Sequence, residues 1–234
     1  MLTQSYHLVL PQLPECQFSI ARFQFTEQLN QANQLTIEAT AIQDFDLANL
    51  VGQPTLFSIT PVSGDALFSQ TLFESLRVVH GQIMTCERLS ASVDEVHYCL
   101  VITSRFAVLK QHITSRLFQN QTVPDIIAAL LRKHEYSGND FRFTLSRAYP
   151  IREYCTQYQE SDWDFILRLC SEEGIFCYFE QSEDKDIWHF ADSTTAYQRS
   201  EYTVPYRENA GLESVGREAL SEFRMMQQAA DTQI

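Results

Sequence analysis

Along the first hundred residues apolar positions recur with a period of two, the spacing of half-buried strands. Residues 6–10 make a short strand that ends at a Pro11–Pro14 corner. Phe18 and Ile20 share one parity and Phe23 and Phe25 the other, and such a switch predicts a bulge or a bend. Leu35, Ile37, Ala39 and Ala41 mark the next strand, and residues 56–60 another, entered through Gly52-Gln53-Pro54. The clearest pairing is a hairpin of residues 76–88 with 96–105, whose loop carries Ser90, Ser92 and Asp94. Val96, Tyr98, Leu100 and Ile102 fall on one face of it, Cys99 and Val101 on the other. Gly81 interrupts its first arm and predicts a bulge or the close approach of another backbone. That makes about six or seven strands in roughly 105 residues with no convincing helix, and a small antiparallel barrel leaves no edge exposed.

After Arg105 the period lengthens. Thr122-Val123-Pro124-Asp125 is a helix start with proline in the first turn. Val123, Ile126, Ile127, Leu130, Leu131 and His134 then trace one helical face, ending before Ser137-Gly138. Residues 141–145 form a brief strand. Residues 152–180 hold a strand, a helix and a strand in succession. Tyr154, Thr156 and Tyr158 share one strand face, and Ser161 sits at the N-cap with Asp164 completing the form of a capping box. Asp162 and Asp164 occupy the first turn, where carboxylates complement free N–H groups and the helix dipole. Phe165, Ile166, Leu169 and Cys170 form the apolar stripe, and Gly174 is the residue that stops the helix. Residues 175–179 are apolar on both faces, as in a strand covered on both sides. Residues 187–191 return as a strand, and the polar stretch 192–216 reads as a linker carrying Pro205, Gly211 and Gly216. In residues 218–234, Leu220, Phe223 and Met226 stand three apart, which suits a helix.

The tyrosine-rich strand, the Glu160-Ser161-Asp162-Trp163-Asp164-Phe165 helix entry and the exit from Glu172 to Phe179 (EEGIFCYF) resemble the hallmark of VgrG proteins. Those are the spike proteins of bacterial type VI secretion systems, similar to the baseplate hub of contractile-tailed phages. His80-Gly81, the run SRLFQNQTVPDII at 115–127 and Val204-Pro205-Tyr206-Arg207 are similar to the same family. The resemblance implies that residues 218–234 begin a second barrel as a strand. It further implies that the chain is the N-terminal part of a longer protein, continued by that barrel, an OB-fold and a β-helical needle. The fold class expected is α+β, mainly β. An antiparallel β-barrel spans 1–105, an α+β subdomain with two helices 106–192, and a linker with the truncated start of a second barrel 193–234.

Composition narrows the function classes. With 44% hydrophobic and 20% charged residues in 234, the chain is an ordinary globular one with ample length for a core. Sixteen Phe and ten Tyr against seven Gly lean towards strands. A formal charge of −13 argues against binding nucleic acid through its phosphates. It suits a soluble surface that repels polyanions, or one that meets a basic partner. The six cysteines, Cys16, Cys86, Cys99, Cys155, Cys170 and Cys177, form no C-x-x-C and read as buried free thiols. No basic, apolar leader opens the chain, and its longest aliphatic run, 126–131, is far below a membrane span.

Candidate chemistry is sparse. Glu160, Asp162 and Asp164 are the best acid–base cluster, and a pair of carboxylates could hydrolyse a glycan if one were held protonated in an apolar pocket. The helix start favours the ionised form instead, so capping is the expected role. Of the histidines His7, His80, His97, His112, His134 and His189, no two stand at helical i, i+4, and none joins a cysteine at zinc spacing. His97 and Cys99 share a strand face, two ligands at most. No G-x-S-x-G and no phosphate-cradling glycine loop is present. Tyr154, Tyr158, Phe176, Tyr178 and Phe179 lack interleaved Lys or Arg and read as core and interface, not as a base-stacking platform. No catalytic, metal or cofactor-binding residue is assigned, and no cofactor is expected.

The expected protein is therefore structural, not an enzyme. The resemblance implies a homotrimer in the full-length protein that caps a tube of Hcp hexamers and carries effector proteins, with no membrane insertion by this part. It also implies synthesis in the cytoplasm and export without a cleaved signal peptide. Three subunits with two barrels each would present six barrels to a six-membered ring. A phage or phage-like tail baseplate hub is the alternative within that class. A cell-wall glycan hydrolase using Glu160 is the alternative outside it.

Overall fold

The computed structural model describes residues 6–59 and 77–197, together with Tyr206, Arg224 and Met225. The expected linker and second barrel, apart from residues 193–197, Tyr206, Arg224 and Met225, lie outside the described residues.

Strands β1 (Tyr6–Val9), β2 (Ser19–Thr26), β3 (Gln34–Ala41), β4 (Pro54–Ile59), β5 (Arg77–Ala91) and β6 (Val96–Thr103) form one six-stranded antiparallel sheet in the order β1-β4-β5-β6-β3-β2. The sheet curls until its two edge strands meet, with the Tyr6 ring of β1 5.0 Å from the Phe23 ring of β2. Alternation explains its core. Leu35, Ile37, Ala39 and Ala41 of β3 and Val96, Tyr98, Leu100 and Ile102 of β6 all point inward and are buried. Burying each large aliphatic or aromatic side chain contributes about 1.5–3 kcal/mol, enough together to close so small a sheet. The parity switch in β2 is a register shift between Ile20 and Arg22, as its apolar pattern required.

One short helix lies in this region, against the expectation of none. The single turn α1 (Leu47–Leu50) forms because the Asp46 side chain accepts from Ala48 N at 3.0 Å. One turn is too short for any apolar period to reveal.

Gly81 is a place of close approach. A Cβ there would lie 2.6 Å from Ile102 Cγ2 and 2.7 Å from the carbonyl oxygen of Thr103. The register shifts of β5 fall further along, between Ile83 and Thr85 and between Arg88 and Ser90. Its neighbour His80, paired with Leu56 within the barrel sheet, also holds the second region, donating its backbone N–H to Gln181 Oε1 at 2.7 Å. The His80 Nε2 atom lies 3.1 Å from the Ser182 carbonyl oxygen. Because the Thr103 carbonyl belongs to the strand backbone and cannot swing aside, Gly81→Ala is expected to lower stability by about 1–3 kcal/mol. A urea melt in which the variant matches the parent would contradict this packing.

Beyond β6 a 3-10 helix (Arg105–Gln111) leads into β7 (Ile113–Gln121), α2 (Val123–Lys133), β8 (Phe141–Thr144), β9 (Arg152–Ser161), α3 (Asp162–Glu173), β10 (Phe176–Gln181) and β11 (Asp186–Ala191). Strands β10, β11 and β8 form a three-stranded sheet in that order, β8 running parallel to β11, while β7 and β9 make a separate antiparallel ribbon. The two helices and these strands share a second apolar core, which includes Phe106, Ile127, Leu131, Phe165, Leu169, Trp163, Trp188 and Phe190. Strand β10 is covered on both sides, as its sequence predicted. Cys177 and Phe179 face the core, while Phe176 and Tyr178 lie under the Tyr197 ring at 5.2 and 5.4 Å.

Tyr154 and Tyr158 are not core residues. They are 59% and 69% exposed on the outer face of the ribbon, and Leu117, opposite Thr156 between them, is 57% exposed. The inward residues of β9 are Cys155 and Gln157. All six cysteines are free, with Cys16, Cys155, Cys170 and Cys177 buried and Cys86 and Cys99 half-buried. Burial pushes the Cys177 thiol up to about 11, so it is no nucleophile.

Candidate functional site

The helix entry that marks the sequence is built from three acids that point three ways. Asp164 closes the capping box: its N–H donates to Ser161 Oγ at 3.0 Å, and the Ser161 hydroxyl donates to Asp164 Oδ2 at 2.6 Å. At the other end Gly174 takes φ 65°, and Ile175 N donates to Cys170 O at 2.8 Å, satisfying the last carbonyls.

Glu160 is held at both carboxylate oxygens by Arg168, with Nη2 to Oε1 at 2.6 Å and Nε to Oε2 at 3.2 Å. Arg168 goes on to Glu172 at 2.8 Å, and Arg152 joins Glu172 and Glu173 at 2.7 and 2.6 Å. An acid whose oxygens are both taken by one guanidinium has neither free to protonate a leaving group. The glycan-hydrolase alternative on Glu160 has no site to stand on.

Asp162 departs from its expected role. Its side chain does not face solvent at the helix end; it is fully buried at the meeting of several elements. Its backbone N–H donates to the His112 carbonyl at 3.1 Å, which turns the carboxylate inward beneath the ribbon. Oδ1 accepts from Gln157 Nε2 of β9 at 2.7 Å and from Arg116 Nη1 of β7 at 2.8 Å. Oδ2 lies 2.6 Å from His134 Nε2, just past α2, and 2.9 Å from His112 Nδ1, just before β7. Burial alone would raise the Asp162 carboxyl; hydrogen bonds from Gln157 and His134 and the Arg116 charge outweigh it and hold it below the usual carboxylate range.

The ligand-capable atoms of His112, His134 and Asp162 all lie within 4.8 Å of one another, the one such group among the described residues. Sequence spacing gave no warning of it, because the three come from separate elements and helical i, i+4 tests cannot see them. The one signal was His134 itself, a polar residue on the apolar stripe of α2. The other histidines go elsewhere. His97 lies beside Glu95 on the surface at 3.1 Å, and His80 anchors the second region. The pair His97 and Cys99 gathers no third ligand among the described residues. A depression of about 420 Å³ at the end of α3 is lined by Asn30, Leu167, Ser171, Gly174, Ile175 and Phe176, none of them an acid or base.

The structure is thus a barrel joined to an α+β unit, with Glu160 in an ion pair, Asp162 in a buried cluster and Asp164 in a helix cap. The profile of the family described as phage tail baseplate hub (GPD) matches residues 26–233. The chain belongs to the phage tail baseplate hub family. Within that setting its relatives are spike proteins. It is 34% identical over 167 residues to the type VI secretion system spike protein VgrG4b of Pseudomonas aeruginosa, covering 71% of this chain and 19% of that protein. It is 32% identical over 197 residues to VgrG5 of the same organism, covering 83% of this chain and 23% of that protein. Among solved structures, the E. coli c3393 protein superposes with a TM-score of 0.68 at 32% identity, over 78% of this chain and 48% of that one. It is described as a type VI secretion component structurally similar to the T4 tail proteins gp27 and gp5. The resemblance to VgrG proteins seen in the sequence is thus borne out. The chain spans about a fifth of the length of these curated relatives.

Proposed function

We propose that this chain is the N-terminal hub part of a trimeric spike in a contractile secretion apparatus, where it helps cap a tube of Hcp hexamers and bring effector proteins to the tip. The observation that carries the reading is the fold match at a TM-score of 0.68 and 32% identity to a type VI secretion component. Its three regions would be the barrel at 1–105, the α+β unit at 106–192 and the entry to a second barrel at 193–234. The exposed Leu117, Tyr154 and Tyr158 on the ribbon give a surface that subunit assembly would bury.

The part has no chemistry of its own in this reading. One relative, of which the chain covers 12%, is the actin cross-linking toxin VgrG1 of Vibrio cholerae, and the likeness to it is 34% over 133 residues. The candidate acids Glu160, Asp162 and Asp164 are engaged in an ion pair, a buried hydrogen-bonded cluster and a helix cap, which favours a structural role. Export without a cleaved leader belongs to the same proposal; no described helix is long and apolar enough to cross a membrane.

The family description favours one second reading, a phage-like tail hub. Deleting the coding region for this chain in its bacterium separates the two. Hcp is expected to remain in the cells and vanish from the medium, returning when the region is restored. Release of Hcp unchanged by the deletion would refute the secretion reading and leave the tail hub.

A further inference from the structure

We propose that His112, His134 and Asp162 form a binding site for a divalent transition metal of the zinc type. Two imidazole nitrogens, His112 Nδ1 and His134 Nε2, converge on a single carboxylate oxygen, Asp162 Oδ2, at 2.9 and 2.6 Å. The rings stand edge to face at 84° with centroids 5.0 Å apart and do not stack, and both nitrogens lie within hydrogen-bond distance of the same oxygen. Two imidazoles and a carboxylate are a donor set for zinc, and three protein ligands leave one position for water.

The fourth position has a way out. The His112 side chain is 49% exposed while Asp162 is fully buried, so the cluster is anchored at its base and open at its rim. The other carboxylate oxygen is already fixed by Gln157 and Arg116. That is the outer support a ligating carboxylate needs to hold its orientation. Arg116 is the charge that opposes an incoming cation. Its Nη1 is committed to Oδ1 at 2.8 Å, whereas its Nη2 makes only 3.4 Å contacts with Oδ2 and with His112 Nδ1. A metal among the three ligands displaces the protons that the imidazole nitrogens share with Oδ2 as well as those two long contacts, and leaves the short Arg116 contact to Oδ1 in place. It would tie the end of α2, the entry to β7 and the first turn of α3 together, adding to the Asp162 N–H to His112 carbonyl bond and the core packing that already join them.

The test uses the chain stripped with a chelator and then titrated with zinc sulfate, with bound metal measured after dialysis. One zinc per chain is expected at micromolar concentration, with a melting temperature raised by about 5–10 °C at saturation. His112→Ala and His134→Ala are each expected to weaken binding about tenfold or more. The surface variant His97→Ala should bind as the parent does. Cobalt offers a readout on the parent alone, independent of whether the variants fold. A visible d–d absorption that zinc abolishes, without a thiolate charge-transfer band, supports the site. No uptake of zinc by the stripped parent, equal binding by the histidine variants, or a thiolate band that moves the metal to the cysteines would each overturn it.

Discussion

Replacing Arg105 by alanine is expected to cost about 3–5 kcal/mol, the loss that follows when one partner of a buried ion pair is removed and the other stays behind. Arg105 stands where the barrel ends and the second region begins. Its Nη2 donates to Asp140 Oδ1 at 2.7 Å, and its Nε to Asp186 Oδ1 at 3.2 Å. Its own carbonyl accepts from the Tyr136 hydroxyl at 3.1 Å, and the guanidinium lies 5.0 Å from the Phe106 ring centre. Asp140 keeps Lys185 at 2.9 Å and the Ser137 N–H at 2.6 Å in the variant, so it remains paired. Asp186, whose side chain is 2% exposed, keeps the Ser104 hydroxyl and its own backbone N–H but loses its guanidinium partner.

The two acids respond to pH with opposite signs. At Asp140 burial would raise the carboxyl, but Arg105, Lys185 and Ser137 together hold it far below its ordinary value. Its contribution is therefore fully present above the unfolded carboxylate pKa and fades as pH falls through the lowered one. At Asp186 burial dominates and pushes the carboxyl up in spite of Ser104 and Arg105. Without Arg105 that rise is larger, so the variant gains stability relative to the parent as protonation removes the stranded charge. Urea midpoints are expected to differ most near pH 7 and to converge towards pH 4. A gap that is small at pH 7, or that widens on acidification, would show that Asp186 does not depend on Arg105.

What the sequence disclosed and what it hid follow from the range of the forces involved. Both ends of α3 are set by residues within four positions of each other, Ser161 with Asp164 and Cys170 with Gly174, and both are legible. The β2 bulge is legible for the same reason, since apolar parity records it locally. Strand β7 was hidden because its residues are mostly polar and its outer face meets solvent, so no alternation marks it. The stop of α2 came at Glu135, with φ 65°, where no glycine announced it. The parallel pairing of β8 with β11 joins residues far apart in sequence through tertiary packing alone. Asp162 shows the limit most sharply. Its place at a helix start predicted a carboxylate complementing free N–H groups and the dipole, yet its neighbours at 112, 116, 134 and 157 made it the centre of a buried cluster. Local capping logic names the position and cannot name the company it keeps.

The second large effect lies deeper in the core of the same α+β region. Trp188→Ala is expected to cost about 3–5 kcal/mol, the range for removing a large aromatic side chain from a packed interior. Trp188 is fully buried in the middle of β11, and its ring stacks on Trp163 of α3 at 4.7 Å and 13°. The rings of Phe106, Phe179 and Phe190 stand 5.3, 5.5 and 4.8 Å away. The indole thus touches the 3-10 segment, strands β10 and β11 of the small sheet and the helix at once. No neighbouring side chain can fill the gap without leaving its own packing, so a void remains and the helix loses its footing on the sheet. Trp188→Phe keeps one ring on Trp163 and should lose less. Because Trp163 and Trp188 are the only tryptophans, near-ultraviolet circular dichroism reports on this stack directly. Its loss alongside a lowered urea midpoint and an unchanged denaturant slope is the expected outcome. An alanine variant within about 1 kcal/mol of the parent would mean that helix and sheet are joined by other contacts, since one void of that size cannot close so cheaply in a packed core.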